Sequence, residues 1–330
     1  MKAFTNANPR DVPHAMTLIA QARRENRTVA LAGGGSDLLG MMKERLVTPD
    51  VLVSLTSIKG LDQVKPAPGG GVTIGGLITL DGLAHAAVIR ERYTVLAEAA
   101  ESVATPQIRN VGTLAGNICQ RPWCWYYRNG FKCLKNGGTT CYSVTGENEF
   151  HAIFGGGPSY IVHPSDTAPA LVALDATFRI VGPSGDRTIP ASEFFTLPAA
   201  DASRENVLKD GEMLASIALP AARKNVRSTY HKVLDREAWT HAVVSAAIVL
   251  EMEKDSCRSA RVVLGGVAPV PWRLPEVEKM LVGQRLTPDL AAKAGEAAVS
   301  GARPLAKNAY KVPLTRALVA RTLSDVVDRG

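Results

Sequence analysis

Along the chain, apolar positions switch between helical and strand spacing, and the switches outline the elements. In "DVPHAMTLIAQARRE" (11–25), Val12, Met16, Ile19 and Ala22 recur at helical intervals, so a helix with one apolar face is expected. "TVALAGG" (28–34) is a short β-rich run ending in glycines. "SDLLGMMKER" (36–45) resumes a helical pattern, with Ser36 or Asp37 positioned to cap it, and "DVLVSLTSI" (50–58) reads as a second buried strand. The result is a β–turn–α–β unit. Val72, Ile74 and Leu77 alternate, a helix starts after Thr79, and "YTVLAEAAESVA" (93–104) is helical. Residues 151–182 read as strand, short helix, strand, and "LKDGEMLASIALP" (208–220) is a strand that stops at Pro220.

After Pro220 the character changes. "YHKVLDREAWTHAVVSAAIVLEME" and "CRSARVVLGGVAPVPWRLP" read as antiparallel strands, and "PEVEKMLVG", "TPDLAAKAGEAAVS" and "KNAYKVPLTRALVARTLSDVVDR" read as helices. An α+β domain over 224–330 is therefore expected after a domain over 1–223. Two or three domains suit a chain of 330 residues.

Composition excludes several classes. No apolar run approaches the ~18 residues of a membrane span. The first residues show no apolar signal segment, so a cytoplasmic protein is expected, or a periplasmic one co-exported with a signal-bearing partner. The net charge of +7 comes from scattered basic residues without a basic arm or zinc-finger spacing, which argues against nucleic acid. None of the six histidines sits in a metal-ligand or triad pattern.

Two segments have the chemistry of a nucleotide site. Between strand and helix, "ALAGGGSDLL" (30–39) carries Gly33, Gly34 and Gly35, whose successive amides either form an anion-binding nest or make a tight structural turn. It lacks the Lys and Ser/Thr of a phosphate-binding P-loop and departs from GxGxxG. "ATPQIRNVGTLAGNIC" (104–119) sets the polar Gln107, Asn110, Thr113 and Asn117 among small residues, which suits a ligand with a flat ring and a sugar, or the capping of buried turns. "PAPGGGV" (66–72) reads as a hairpin turn. Asp166, in "HPSD", is either a site residue or a helix cap.

Four of the five cysteines, Cys119, Cys124, Cys133 and Cys141, fall in one loop with the spacing C-x4-C-x8-C-x7-C. Thiols clustered in a large, cysteine-poor chain suit a metal or iron–sulfur centre better than a disulfide scaffold, although no C-x2-C element is present.

"AGGGSDLL", "ATPQIRNVGTLAGNICQR", "HPSDTAPALVALDA", "GEMLASIALP", "YHKVLDREAWTHAVVSAA" and "VVLGGVAPVPWR" follow one another in an order that resembles the FAD-binding medium subunit of the xanthine dehydrogenase and aldehyde oxidoreductase family of molybdenum hydroxylases. The resemblance implies an α+β chain: a two-subdomain FAD-binding fold of the vanillyl-alcohol oxidase/PCMH type, split near residue 60, then a C-terminal domain of the CO dehydrogenase flavoprotein type. It implies that residues 32–38 (Ala32, Gly33, Gly34, Gly35, Ser36, Asp37 and Leu38) hold the FAD pyrophosphate. Gln107 and Asn110 would lie in the binding segment. Thr113, Gly116, Asn117 and Asp166 would hold the ribityl chain, ribose and flavin edge, and Lys232 would approach the isoalloxazine. The cysteine-bearing insertion at about 118–160 resembles the branch that includes bacterial aldehyde oxidoreductase and 4-hydroxybenzoyl-CoA reductase, in which it carries a 4Fe–4S cluster. Cys124, Cys133 and Cys141 carry over as ligands. Ser159 stands where the family's last cysteine falls, so Cys119 is the expected fourth ligand and Ser159 the alternative. The implied partners are a molybdenum-cofactor large subunit and a 2Fe–2S small subunit. The rival readings are a stand-alone flavin oxidase and a zinc-stabilised binding module.

Overall fold

The computed structural model describes residues 1–237 and 240–328 and distributes its strands over three sheets. The expected last helix reaches Arg329, which lies outside the described residues, as do Ala238 and Trp239 of the expected strand pair.

β1 (Thr5–Ala7), α1 (Val12–Arg24), β2 (Val29–Ala32), α2 (Leu38–Lys43) and β3 (Val51–Ser54) build a first sub-domain around a parallel sheet of order β1-β3-β2. α1 begins where the Asp11 carboxylate accepts the His14 amide at 2.7 Å, with Pro13 in the first turn and Arg23 and Arg24 in the last. Its Ala15, Ile19 and Ala22 pack with Val51 and Val53. β1 has no hydrophobic signal because its polar residues sit on the sheet edge.

The second sub-domain holds β4 (Val64–Pro66), β5 (Val72–Gly75) and the short helices α3 (Leu80–His85), α4 (Ala87–Arg92), α5 (Thr94–Glu101), α6 (Pro106–Val111) and α7 (Leu114–Ile118). After α8 (Trp125–Arg128), inside the cysteine loop, come α9 (Thr167–Ala173), β6 (Thr177–Gly182), β7 (Gly185–Pro190) and β8 (Met213–Leu219). The sheet order is β4-β5-β8-β6-β7. The "PAPGGGV" glycines turn β4 into antiparallel β5, and β8 returns from far along the chain to pair Leu219 with Val72.

The C-terminal region contributes β9 (Val226–Val233), β10 (Val244–Glu253), β11 (Ser256–Gly265) and β12 (Trp272–Arg273), then α10 (Pro275–Leu281), α11 (Pro288–Ala297) and α12 (Lys311–Asp328). Its antiparallel sheet is buried on both faces. Ala246, Ile248 and Val262 share a core with Val277, Leu281 and Val319, whereas Tyr230, Ala247 and Val263 join the core of the second sub-domain beside Leu171 and Phe178. Double burial explains why β10 is apolar almost throughout instead of alternating. It also brings β9 against α5, where Glu98 accepts the Thr229 hydroxyl and the Tyr230 amide at 2.8 Å each. Among the described residues no helix is long and apolar enough to cross a membrane.

Candidate functional site

The glycine loop after β2 packs directly on the turn between α6 and α7. A Cβ on Gly33 would come within 2.6 Å of Thr113 Oγ1, and one on Gly34 would fall on the Val111 carbonyl oxygen. Gly35 takes a φ of +73°, which favours glycine. The two segments that the sequence marks as nucleotide-like therefore touch. Beside their junction opens a cleft of about 720 Å³ including its mouth, lined by Ser36, Asp37, Thr113, Gly116, Asn117 and Asp166 among others.

Local structure sets each of these side chains. Thr113 caps α7 by accepting the Gly116 amide at 3.2 Å. Asn117 Oδ1 accepts the hydroxyls of Ser165 (2.6 Å) and Thr167 (2.7 Å). Asp166 precedes α9 but makes no cap bond. Its carboxylate instead accepts the Tyr230 hydroxyl at 2.6 Å and Lys232 Nζ at 2.7 Å, with both ion-pair side chains 4% exposed. Burial and the Asp166 carboxylate raise the Tyr230 pKa well above its ordinary value, so Tyr230 remains a donor.

Some expected site residues stand elsewhere. Lys232 does not line the cleft: its ammonium is held between Asp166 and the Ser102 carbonyl (3.0 Å), so Asp166 forms the wall. Gln107 and Asn110 lie on the exposed face of α6, and the Asn110 amide is tied back to the Pro106 carbonyl. Ala32 and Leu38 pack with Met42 and Leu52. Neither Ser36 nor Asp37 caps α2 through its side chain; Asp37 accepts the Arg121 amide at 3.1 Å and the Arg128 guanidinium at 2.7 Å.

Sequence reasoning missed Trp123 and His241, which line the same cleft. Their rings lie 5.2 Å apart, and the Arg128 guanidinium stands 4.3 Å from the Trp123 ring centroid. Burial lowers the His241 pKa. Aromatic and cationic residues in "RPWCWYYR" were the available signal, overshadowed by the cysteines.

Cys124, immediately after Trp123, faces a separate small cavity that Cys133, Cys141 and Ser159 also line. Ser159 is buried there at 3% exposure. Cys119 is not among the lining residues. It ends α7 and packs against the main core, where burial pushes its thiol up to about 12. Burial also raises Cys124, whose Sγ lies 3.4 Å from His151 Nε2, and Cys141 Sγ lies 3.1 Å from the Ser143 hydroxyl. Among the described residues no three His, Cys, Asp or Glu side chains converge as ligands of one metal ion would. The loop is anchored by Glu205, which pairs with Lys135 at 2.8 Å and Arg121 at 2.7 Å.

Comparison with known proteins then decides the family. The model of the FAD-binding domain in molybdopterin dehydrogenase matches residues 2–222, and that of the CO dehydrogenase flavoprotein C-terminal domain matches 229–326. The chain belongs to the FAD-binding medium subunits of the CO dehydrogenase/xanthine dehydrogenase family. This medium subunit is 32% identical over 330 residues to the aldehyde oxidoreductase FAD-binding subunit PaoB of Escherichia coli K12, covering 98% of both chains. It is 27% identical to the carbon monoxide dehydrogenase medium chain of Hydrogenophaga pseudoflava, covering 96% of this chain and 94% of that one. A solved carbon monoxide dehydrogenase from Hydrogenophaga pseudoflava matches with a TM-score of 0.77 at 25% identity, over 99% of this chain and 98% of that one. A chain of quinoline 2-oxidoreductase from Pseudomonas putida 86 shares the fold, with a TM-score of 0.76 at 21% identity over 99% of each chain. The matched FAD-binding domain contains the glycine loop, the 104–119 segment and Asp166, while Lys232 and His241 lie in the matched C-terminal domain.

Proposed function

We propose that this medium subunit is the electron-transfer chain of a heteromeric molybdenum hydroxylase of the aldehyde oxidoreductase type, with FAD in the cleft and a 4Fe–4S cluster in the thiol cavity. The observation that carries this reading is the division of neighbouring residues: Trp123 lines the cleft and Cys124 lines the cavity, so the two sites adjoin along the backbone.

The cleft residues suit FAD. Backbone amides of 33–37 would hold the pyrophosphate. The one carboxylate in that loop, Asp37, which would repel it, is neutralised by Arg128. Thr113, Asn117 and Asp166 would bind the sugar chain and flavin edge, and Trp123 and His241 present flat surfaces suited to a ring. When bound, FAD supplies the exchange between one-electron and two-electron carriers.

The cavity residues suit a cluster better than a single zinc ion. Cys124, Cys133 and Cys141 line one cavity, and a 4Fe–4S cluster takes one thiolate per iron. Ser159, and not Cys119, is the fourth candidate ligand on that cavity. When bound, such a cluster relays single electrons.

The relatives' descriptions as medium chains and FAD-binding subunits support partners: a molybdenum-cofactor large subunit and a 2Fe–2S small subunit, from which electrons reach this chain and leave to an external acceptor. The complex belongs in the cytoplasm, or in the periplasm through a signal-bearing partner. The test is anaerobic purification of the co-expressed complex, with flavin and iron determination in the wild type and Cys133→Ser. Loss of about four iron atoms with flavin retained supports the reading. Equal iron in both proteins removes the cluster from this chain.

A further inference from the structure

His151 has no assigned role in the sequence reading, yet it places a ring nitrogen on the cavity thiol of Cys124. Its ring is almost wholly buried, with Nε2 3.4 Å from Cys124 Sγ, and Nδ1 is buried without a partner. An imidazole N–H at this distance can donate to the sulfur and draw charge from it.

The tautomer follows from this geometry once the sulfur ligates iron. A ligating sulfur carries no proton, so the contact is then favourable only with the proton on Nε2. With the proton on Nδ1, a buried donor would be orphaned and two lone pairs would oppose each other.

The ring's position is set from outside the cysteine loop. The His151 amide donates to the Asn148 carbonyl at 3.0 Å, and the His151 carbonyl accepts the Asn308 side-chain amide at 3.0 Å. The Lys307 amide donates to Asn148 Oδ1 at 2.9 Å, and Lys311 Nζ to the Phe150 carbonyl at 3.0 Å. The segment before α12 thus holds the backbone around 148–152, so the imidazole is presented to the sulfur by a rigid support.

We infer that His151 is a positioning residue that donates from Nε2 to the Cys124 sulfur and thereby raises the reduction potential of the iron–sulfur cluster. This rests on the cluster reading above. A hydrogen bond withdraws charge from a ligating sulfur and so favours the more negative, reduced state.

The experiment compares wild type, His151→Leu and His151→Gln in the anaerobically purified complex, by iron and acid-labile sulfide content and by EPR-monitored redox titration. Leu removes the donor, whereas Gln keeps an N–H. The expected result is a midpoint shifted to more negative potential, or cluster loss, in His151→Leu, and wild-type iron with a near-wild-type midpoint in His151→Gln. An unshifted midpoint in His151→Leu overturns the inference. So does a His151→Gln protein that shifts as far as His151→Leu or also loses its iron. A wild-type complex whose only iron is that of the partner subunit instead defeats the cluster reading, and this inference with it.

Discussion

Asp37 Oδ1 and Arg128 Nη2 lie 2.7 Å apart, with side chains 17% and 12% exposed, and this ion pair ties the glycine loop to the cysteine loop. Breaking a largely buried pair leaves a charge without compensation, at a cost of several kcal/mol. Arg128→Met is therefore expected to weaken FAD retention at least tenfold, because the orphaned carboxylate stands on the cleft wall. Asp37→Asn/Arg128→Met removes that charge and should recover much of the flavin. Flavin absorbance after desalting measures both, and a double variant no better than Arg128→Met would refute the electrostatic account.

Gly34 has a different role from the one a phosphate-binding glycine suggests. Even a single Cβ there falls on the Val111 carbonyl, so the constraint comes from protein packing. Gly34→Ala should lower the stability of the flavin-free protein by about 1–3 kcal/mol, and Gly34→Val by more. Denaturant unfolding of the apoprotein decides this: unchanged stability with lost flavin would return the residue to a purely ligand-facing role.

On the cluster reading, the cavity lining favours Ser159 over Cys119 as the fourth ligand, the reverse of the order drawn from the family resemblance. Cys119→Ala should leave iron content unchanged and lower stability by about 1 kcal/mol, since it trims a side chain packed against the main core. Ser159→Cys should lengthen the lifetime of the cluster in air, by completing a four-thiol set. Iron retained after timed air exposure reads both. Iron lost in Cys119→Ala would restore that cysteine as a ligand.

Lys311 is fully buried, donating to the Phe150 (3.0 Å) and Gly266 (2.7 Å) carbonyls, and burial lowers its pKa to about 7. The unfolded chain holds this proton up to its ordinary value of 10.5, whereas the folded chain releases it from about pH 7 upward. Between these limits the unfolded state binds more protons, so this lysine makes stability rise with pH by up to about 1.4 kcal/mol per unit. Below about pH 7 its contribution is flat. Unfolding free energies at pH 7.5 and 9 should rise less in Lys311→Met than in the wild type, and equal slopes would rule the linkage out.

Local features read well from the sequence. The helical spacing of 11–25, the β-rich runs at 28–34 and 50–58, the turn at 66–72 and the strand ending before Pro220 all correspond to elements of the structure. Polar residues were harder. Asp37 and Asp166 have the sequence context of helix caps, but their side chains answer cations 91 and 66 residues away. Gln107 and Asn110 share a polar, small-residue segment with Thr113 and Asn117, yet α6 is too short to display a face in its sequence, and they point outward.

The elements, the flavin-subunit family and the concentration of thiols in one loop were legible from the residue order alone, because these depend on neighbouring residues and on motif order. Long-range folding placed Lys232 behind Asp166, brought Trp123 to the cleft, and put Ser159 and not Cys119 on the thiol cavity. Those outcomes depend on how β8, β9 and the loop anchored by Glu205 fold back across long separations. Charge pairing and burial then select partners that no local spacing encodes.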